Sequence, residues 1–136
     1  MKKAVLLLFL SLSLPAQEYA VVCNKILDEM SLMQIRAVFL KKLTHSKGLH
    51  LVPVNLSSND VVRKSFEEHV LKMQKRALKS YWVKQHYLGN RPPLVMKSES
   101  SALVFTKKVQ GAMAYATLQD IDDSVKILYK WRDDAL

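Results

Sequence analysis

Ala112-Met113-Ala114-Tyr115-Ala116-Thr117-Leu118 is apolar on both faces of an extended chain, with small alanines alternating with Met113 and Tyr115. Such a segment suits a central strand with helices packed close on it. Upstream, Ser98 is placed to cap a helix containing Ala102, Phe105 and Val109, which stops near Gly111. Leu94 to Lys97 reads as a short strand before that helix, and Val125 to Tyr129 as a last strand before a polar tail.

Towards the N-terminus the alternation continues. Tyr19 to Asn24 is a strand-like apolar run. Ser31 with Gln34 forms a capping box, and Ile35, Val38 and Phe39 follow at helical spacing, which predicts a helix over 32–41. Thr44 to Gly48 is polar and reads as a loop. His50 to Leu56 is valine-rich and reads as a strand whose Pro53 calls for an edge or a bulge. From Asp60, the apolar positions Val62, Phe66, Val70 and Met73 share one helical face. A further helix over 76–88 carries Leu78, Tyr81, Trp82 and Leu88, and Gly89-Asn90-Arg91-Pro92-Pro93 must end it. Strands separated by helices imply a mostly parallel sheet covered on both sides, hence an α/β fold with a single three-layer domain.

The first 16 residues read differently. Met1-Lys2-Lys3 is basic, Ala4 to Leu14 is apolar apart from two serines, and Leu14-Pro15-Ala16 ends in a small residue, the pattern of a secretory signal cleaved after Ala16. The apolar run falls well short of the ~20 residues a membrane-spanning helix needs, so no span is expected after cleavage. The expected division is a signal peptide over 1–16 and one domain over 17–136, with the mature protein in the periplasm. Removing 16 of the 136 residues leaves 120, enough for one modest core. The signal carries Lys2 and Lys3 and no acidic residue, so the formal charge falls from +9 to +7. The lysines are spread over most of the helices, which reads as a solvated basic surface; no groove-reading motif is present and no nucleic-acid partner is expected. Cys23, the single cysteine, lies in an apolar run and reads as a buried, inert thiol.

The order of four segments resembles the type II periplasmic binding proteins, and within them the phosphate ABC-transporter substrate-binding family and its short single-lobe relatives. Met30 to Lys42 is similar to the family's "serine, leucine, then a helix ending in isoleucine-phenylalanine-leucine-glycine-lysine". Leu51-Val52-Pro53-Val54-Asn55, running through Ser57 and Ser58 to Arg63 and Phe66, is similar to its strand, anion loop and helix. Tyr81-Trp82 with Gly89 to Pro93, and then Gln110-Gly111-Ala112-Met113-Ala114-Tyr115, complete the match. Lys41 and Ala114 replace family glycines, and Thr44 to Gly48 lacks a tryptophan. Asn55 stands near the family's phosphate-gripping arginine, and Ser57-Ser58-Asn59-Asp60 replaces a serine-glycine-threonine turn. The resemblance implies one lobe of a solute-binding protein, a phosphate-like oxyanion as ligand, an ABC transporter as recipient, no cofactor and no enzymatic activity.

The candidate site is Ser57, Ser58, Asn59 and Arg63. Residues 57–59 immediately precede a helix whose first N–H groups are unpaired and whose dipole favours an anion, and Arg63 lies about one turn on. The competing reading is that Ser58 or Asn59 caps the helix and Arg63 pairs with Glu67 at the surface, with Asp60 repelling an anion. A lone lobe also leaves an anion wet unless a homodimer or another protein supplies the opposing wall. Tyr81, Trp82 and Tyr87 could line such an interface, although core packing accounts for Trp82 more simply. The alternative function is therefore a cell-envelope interaction or scaffold protein that keeps the lobe and has lost the ligand. His45, His50, His69 and His86 lack metal-ligand spacing and read as solvent-facing or capped, no metal is expected, and Glu67-Glu68 reads as a solvated pair.

Overall fold

In the computed structural model, which describes residues 3–8 and 16–133, the strand read as central is the third of five in one sheet. The strands are β1 (Gln17–Cys23), β4 (Val52–Leu56), β5 (Leu94–Met96), β6 (Ala112–Thr117) and β7 (Lys126–Asp133), in spatial order β5-β4-β6-β1-β7. β4 is parallel to β5 and to β6, whereas β1 is antiparallel to both β6 and β7. Four strands thus point one way and β1 alone is reversed. Strands separated by helices led to the parallel majority; no local signal marks β1 as the exception, because its direction is set by partners about a hundred residues away in the chain.

The helices are α1 (Leu32–Phe39), α2 (Val61–Phe66), α3 (Lys75–Tyr87) and α4 (Glu99–Lys108). β4 crosses to β5 through α2 and α3, and β5 crosses back past β4 to β6 through α4. Right-handed crossovers in opposite directions place those helices on opposite faces, giving three layers. On one face Tyr115 stacks on Phe66, with ring centroids 4.0 Å apart, and Phe39 meets Phe66 edge-on at 4.7 Å. Tyr19 and Trp131 extend that aromatic core along β1 and β7. On the other face Ala112, Ala114 and Ala116 are buried and offer no bulk, so α4 comes close with buried Ala102 and Thr106. Asn24, just after β1, fixes the end of α4 by donating from Nδ2 to the carbonyls of Thr106 and Lys107 at 3.0 and 3.1 Å.

Most elements fall where the sequence places them, and the differences have physical causes. The capping box at α1 is formed, with Gln34 N donating to Ser31 Oγ at 3.2 Å and Ser31 N donating to Gln34 Oε1 at 2.8 Å. Ser98 caps α4 through Ser101 N. The segment read as one strand from His50 is divided. His45–Ser46 (β2) and Leu49–His50 (β3) form a separate hairpin, whose two-residue turn uses Lys47 and Gly48, both at positive φ. Pro53 sits in an interior strand, yet Val52 N points to β6 and β5 begins only opposite Val54. The N–H that proline lacks therefore faces a position with no partner strand. The long helix from Asp60 is α2 followed by a π-helical turn, Glu67–Leu71, which ends at Lys72 in the left-handed region. That turn brings Leu71 into the core beside Val70. β7 runs on past Tyr129 to bury Trp131, whose indole N–H donates to Ser65 Oγ at 2.9 Å.

Of the leader over 1–16, residues 1, 2 and 9–15 lie outside the described residues. Val5 to Leu8 are exposed and take no part in the core. Among the described residues, no helix is long and apolar enough to cross a membrane.

Candidate functional site

Residues 57–60 form the turn that joins the end of β4 to α2, so Ser57, Ser58 and Asn59 lie at the C-terminal edge of the sheet and are exposed. Capping falls to neither Ser58 nor Asn59. Asp60 is the N-cap, and its Oδ1 accepts from Val62 N at 2.8 Å. A carboxylate thus already satisfies one of the unpaired N–H groups on which the anion reading relied.

Arg63 is not a free surface side chain. Its Nε–H donates to Glu67 Oε1 at 3.2 Å, both side chains being less than a fifth exposed, and an NH1 hydrogen goes to the Leu56 carbonyl at 2.8 Å. The second bond ties α2 to the last residue of β4. Arginine carries five N–H donors, so these two contacts leave part of the guanidinium edge for another acceptor. Arg63 and Ser58 share the wall of one groove of about 690 Å³ that opens between α2, the π-helical turn and α3. Ser57 and Asn59 belong to the same turn but do not line that groove.

Beside the turn, the hydroxyl of Tyr115 donates to Asn55 Oδ1 at 3.0 Å and accepts from Leu56 N at 3.1 Å. Burial pushes its phenol well above the ordinary tyrosine range, so it remains a neutral donor and acceptor. Asn55, read as standing near the place of an anion-gripping arginine, is instead half of this pair. Glu99, at the start of α4, accepts from Thr117 N at 2.5 Å and adds a further carboxylate near the strand ends. Sequence reading missed both contacts, because each joins residues at least 18 positions apart.

The groove was also missed. Its floor residues Met73, Leu78 and Trp82 carry helical periodicity and read as core, and its lysines read as scattered surface charge. Trp82 is half-buried and Tyr81 is anchored by its hydroxyl, which donates to the Leu40 carbonyl at 2.5 Å. Tyr87 is 86% exposed.

The remaining candidates carry no site of their own. Cys23 is fully buried, and its thiol is pushed up to about 11 by that burial, against a smaller opposing effect of Lys126. His45 and His50 face each other across the β2–β3 hairpin at 5.0 Å between ring centroids. His69 departs from the solvent-facing reading: its Nε2 is buried, 3.4 Å from Asp133 Oδ1 and without a hydrogen bond. Among the described residues, no three His, Cys, Asp or Glu side chains gather where they could hold a metal ion.

No protein-family model and no curated protein sequence matches the chain. Solved structures do. An ABC-type phosphate transport receptor from Vibrio cholerae superposes with a TM-score of 0.65 at 18% identity, over 83% of this chain and 46% of that one. A phosphate ABC transporter substrate-binding protein from Clostridium perfringens, solved with bound phosphate, gives 0.67 at 16% identity, over 83% and 44%. PstS from Borrelia burgdorferi gives 0.59 at 11% identity, over 83% and 47%. All are transport-binding proteins, and this chain spans less than half the length of each. At these identities the likeness is one of architecture, and the chain has the fold of a single lobe of a phosphate-type substrate-binding protein.

Proposed function

We propose that the chain is an exported, non-enzymatic solute-binding module that meets a phosphate-like oxyanion at Ser57, Ser58, Asn59 and Arg63 and works with an ABC transporter. The observation that carries this reading is the fold shared with phosphate-binding transport receptors. Within that fold Ser58 and Arg63 line one groove at the end of β4. Export rests on Lys2-Lys3 and the apolar run after them, together with Val5 to Leu8 lying exposed, outside the core.

The chemistry limits the affinity. Arg63 is partly neutralised by Glu67, Asp60 places a carboxylate at the helix start, and a single lobe covers an anion from one side. Binding by the isolated chain is therefore expected in the millimolar range, about −4 kcal/mol. Isothermal titration with inorganic phosphate and sulfate tests this. Saturable heat that disappears in Arg63→Ala supports the reading, and no heat up to about 10 mM rejects it.

A second reading, an envelope interaction protein that keeps the lobe without the ligand, is favoured by one observation. Arg63, the cation of the expected anion grip, already holds Glu67 and the Leu56 carbonyl, and Asp60 already occupies Val62 N at the helix start. Partners captured equally by the wild type and Arg63→Ala would support it.

A further inference from the structure

The groove between α2 and α3 combines an apolar recess with a ring of cations. Its walls are predominantly apolar, with Met73, Leu78 and Trp82 recessed between the helices. Around its mouth stand Lys64, Lys72, Lys75 and Lys79, all exposed. Among the described residues, none of these four lysines has a carboxylate within ion-pairing distance. Of the two lining carboxylates, Glu67 is bound to Arg63, so Glu68 alone offsets the four lysines in the groove's charge.

The corner between the helices is itself held in an unusual shape. The π-helical turn ends at Lys72 with φ of 52°, a conformation that costs a side-chain-bearing residue about 1–2 kcal/mol. Met73 N donates to the Glu67 carbonyl at 3.1 Å and closes the turn. An uninterrupted helix through 72–74 would remove the corner and, with it, the groove. Short π-helical segments recur at functional sites for this kind of reason.

We infer that this groove is a docking site for an acidic peptide segment of a partner protein, with one or two apolar side chains entering the floor and carboxylates meeting the lysine ring. Charge complementarity selects the acidic partner. The recess selects a peptide over an anionic membrane: Leu78 is only 6% exposed, and a flat headgroup surface cannot reach between the helices, whereas a leucine or phenylalanine side chain can. The cavity volume of about 690 Å³ admits several side chains, well beyond the needs of a single oxyanion.

The test is fluorescence anisotropy with the full chain and a short fluorescein-labelled amphipathic peptide of glutamate with leucine and phenylalanine anchors. Comparison probes are its lysine counterpart, an alanine-anchored counterpart, and phosphatidylglycerol vesicles. Saturable binding in the range of about 10–100 μM is expected, weakening as salt rises. The double variant K75E/K79E should weaken it at least about tenfold, and Trp82→Ala by a similar factor. Lys75 and Lys79 share the groove wall with Arg63, so K75E/K79E is expected to weaken phosphate as well; Trp82 is uncharged and outside the 57–63 oxyanion site, so Trp82→Ala is predicted to weaken the peptide and leave any phosphate heat unchanged, and the two proposals fail separately. No saturation below about 1 mM, equal binding of the lysine peptide, an unchanged affinity in K75E/K79E, or tighter binding of the vesicles than of the peptide would each overturn the inference.

Discussion

Replacing Gly111 by alanine adds one methyl group at the tightest backbone approach found at any of the three glycines. A Cβ at that position would lie 1.8 Å from the carbonyl oxygen of His50 and 2.9 Å from its carbonyl carbon, and both are main-chain atoms. Contacts below 3.0 Å are essentially never realised, so β3 and the start of β4 must retreat from β6 by at least about 1.2 Å. Val52 N donates to Gly111 O at 2.8 Å across this junction, and a retreat of that size stretches the bond past its useful range. Losing it costs about 1 kcal/mol, and forcing a methyl into a filled space costs about 1–3 kcal/mol more. The reduced freedom of the unfolded chain returns about 0.4–1 kcal/mol. A net loss of about 2–3 kcal/mol, or a melting point lower by about 10 °C, is expected. Urea unfolding followed by far-ultraviolet circular dichroism measures it. Gly89→Ala is the control, since nothing lies within 4 Å of its Cβ and its cost comes from a φ of +85° alone, about 1 kcal/mol. If Gly111→Ala lies within about 0.5 kcal/mol of wild type, the close approach of β3 to the start of β6 is wrong.

Trp131→Ala removes the aromatic anchor of β7 and the bond to Ser65, and should lower stability by about 3–5 kcal/mol, measured by the urea midpoint. Ser31→Ala breaks the capping box of α1 and should cost about 1 kcal/mol in the same assay. Burial pushes the Cys23 thiol up to about 11 from its ordinary value of 9.0, so stability should be constant at lower pH and fall as pH rises from 9 towards 11. The slope attributable to Cys23 is at most about 1.4 kcal/mol per pH unit, and Cys23→Ala should remove it. In the native protein near pH 8, a thiol reagent should react with Cys23 only at the rate of unfolding. Fast reaction would place the thiol at the surface.

The helices and the central strand were legible because their signals are local. Ser31 and Gln34, Ser98, and the spacing of Val62, Phe66 and Val70 each act within one turn or one face. The reversal of β1, the continuation of β7 to Trp131 and the π-helical turn were not legible, because tertiary contacts decide them. Tyr19 rests on Trp131, and Ser65 meets the indole from another layer. At the candidate site, sequence placed Ser57, Ser58 and Asn59 before a helix and Arg63 about one turn on; in the structure residues 57–59 precede α2 and Arg63 lies within it. The surroundings that set their chemistry, namely Glu67 on Arg63, Asp60 as the cap and Tyr115 on Asn55, come partly from neighbouring turns and partly from β6. The i,i+4 pair was readable, whereas the Tyr115 contact spans 60 residues.

The reversed strand carries a consequence for the order of assembly. β1 is made first, yet both of its partners, β6 and β7, are made last, with register pairs as distant as Gln17 with Asp133. Until residues 112–117 are available, β1 has no edge to add to, and the fully buried Ala20, Val21 and Val22 have no sheet to enter. A chain emerging from the ribosome therefore cannot complete this sheet before residues 126–133 are free, and such non-local pairing slows folding further. On the export proposed above, this topology would hold the chain open for threading through a translocation pore until β7 is free.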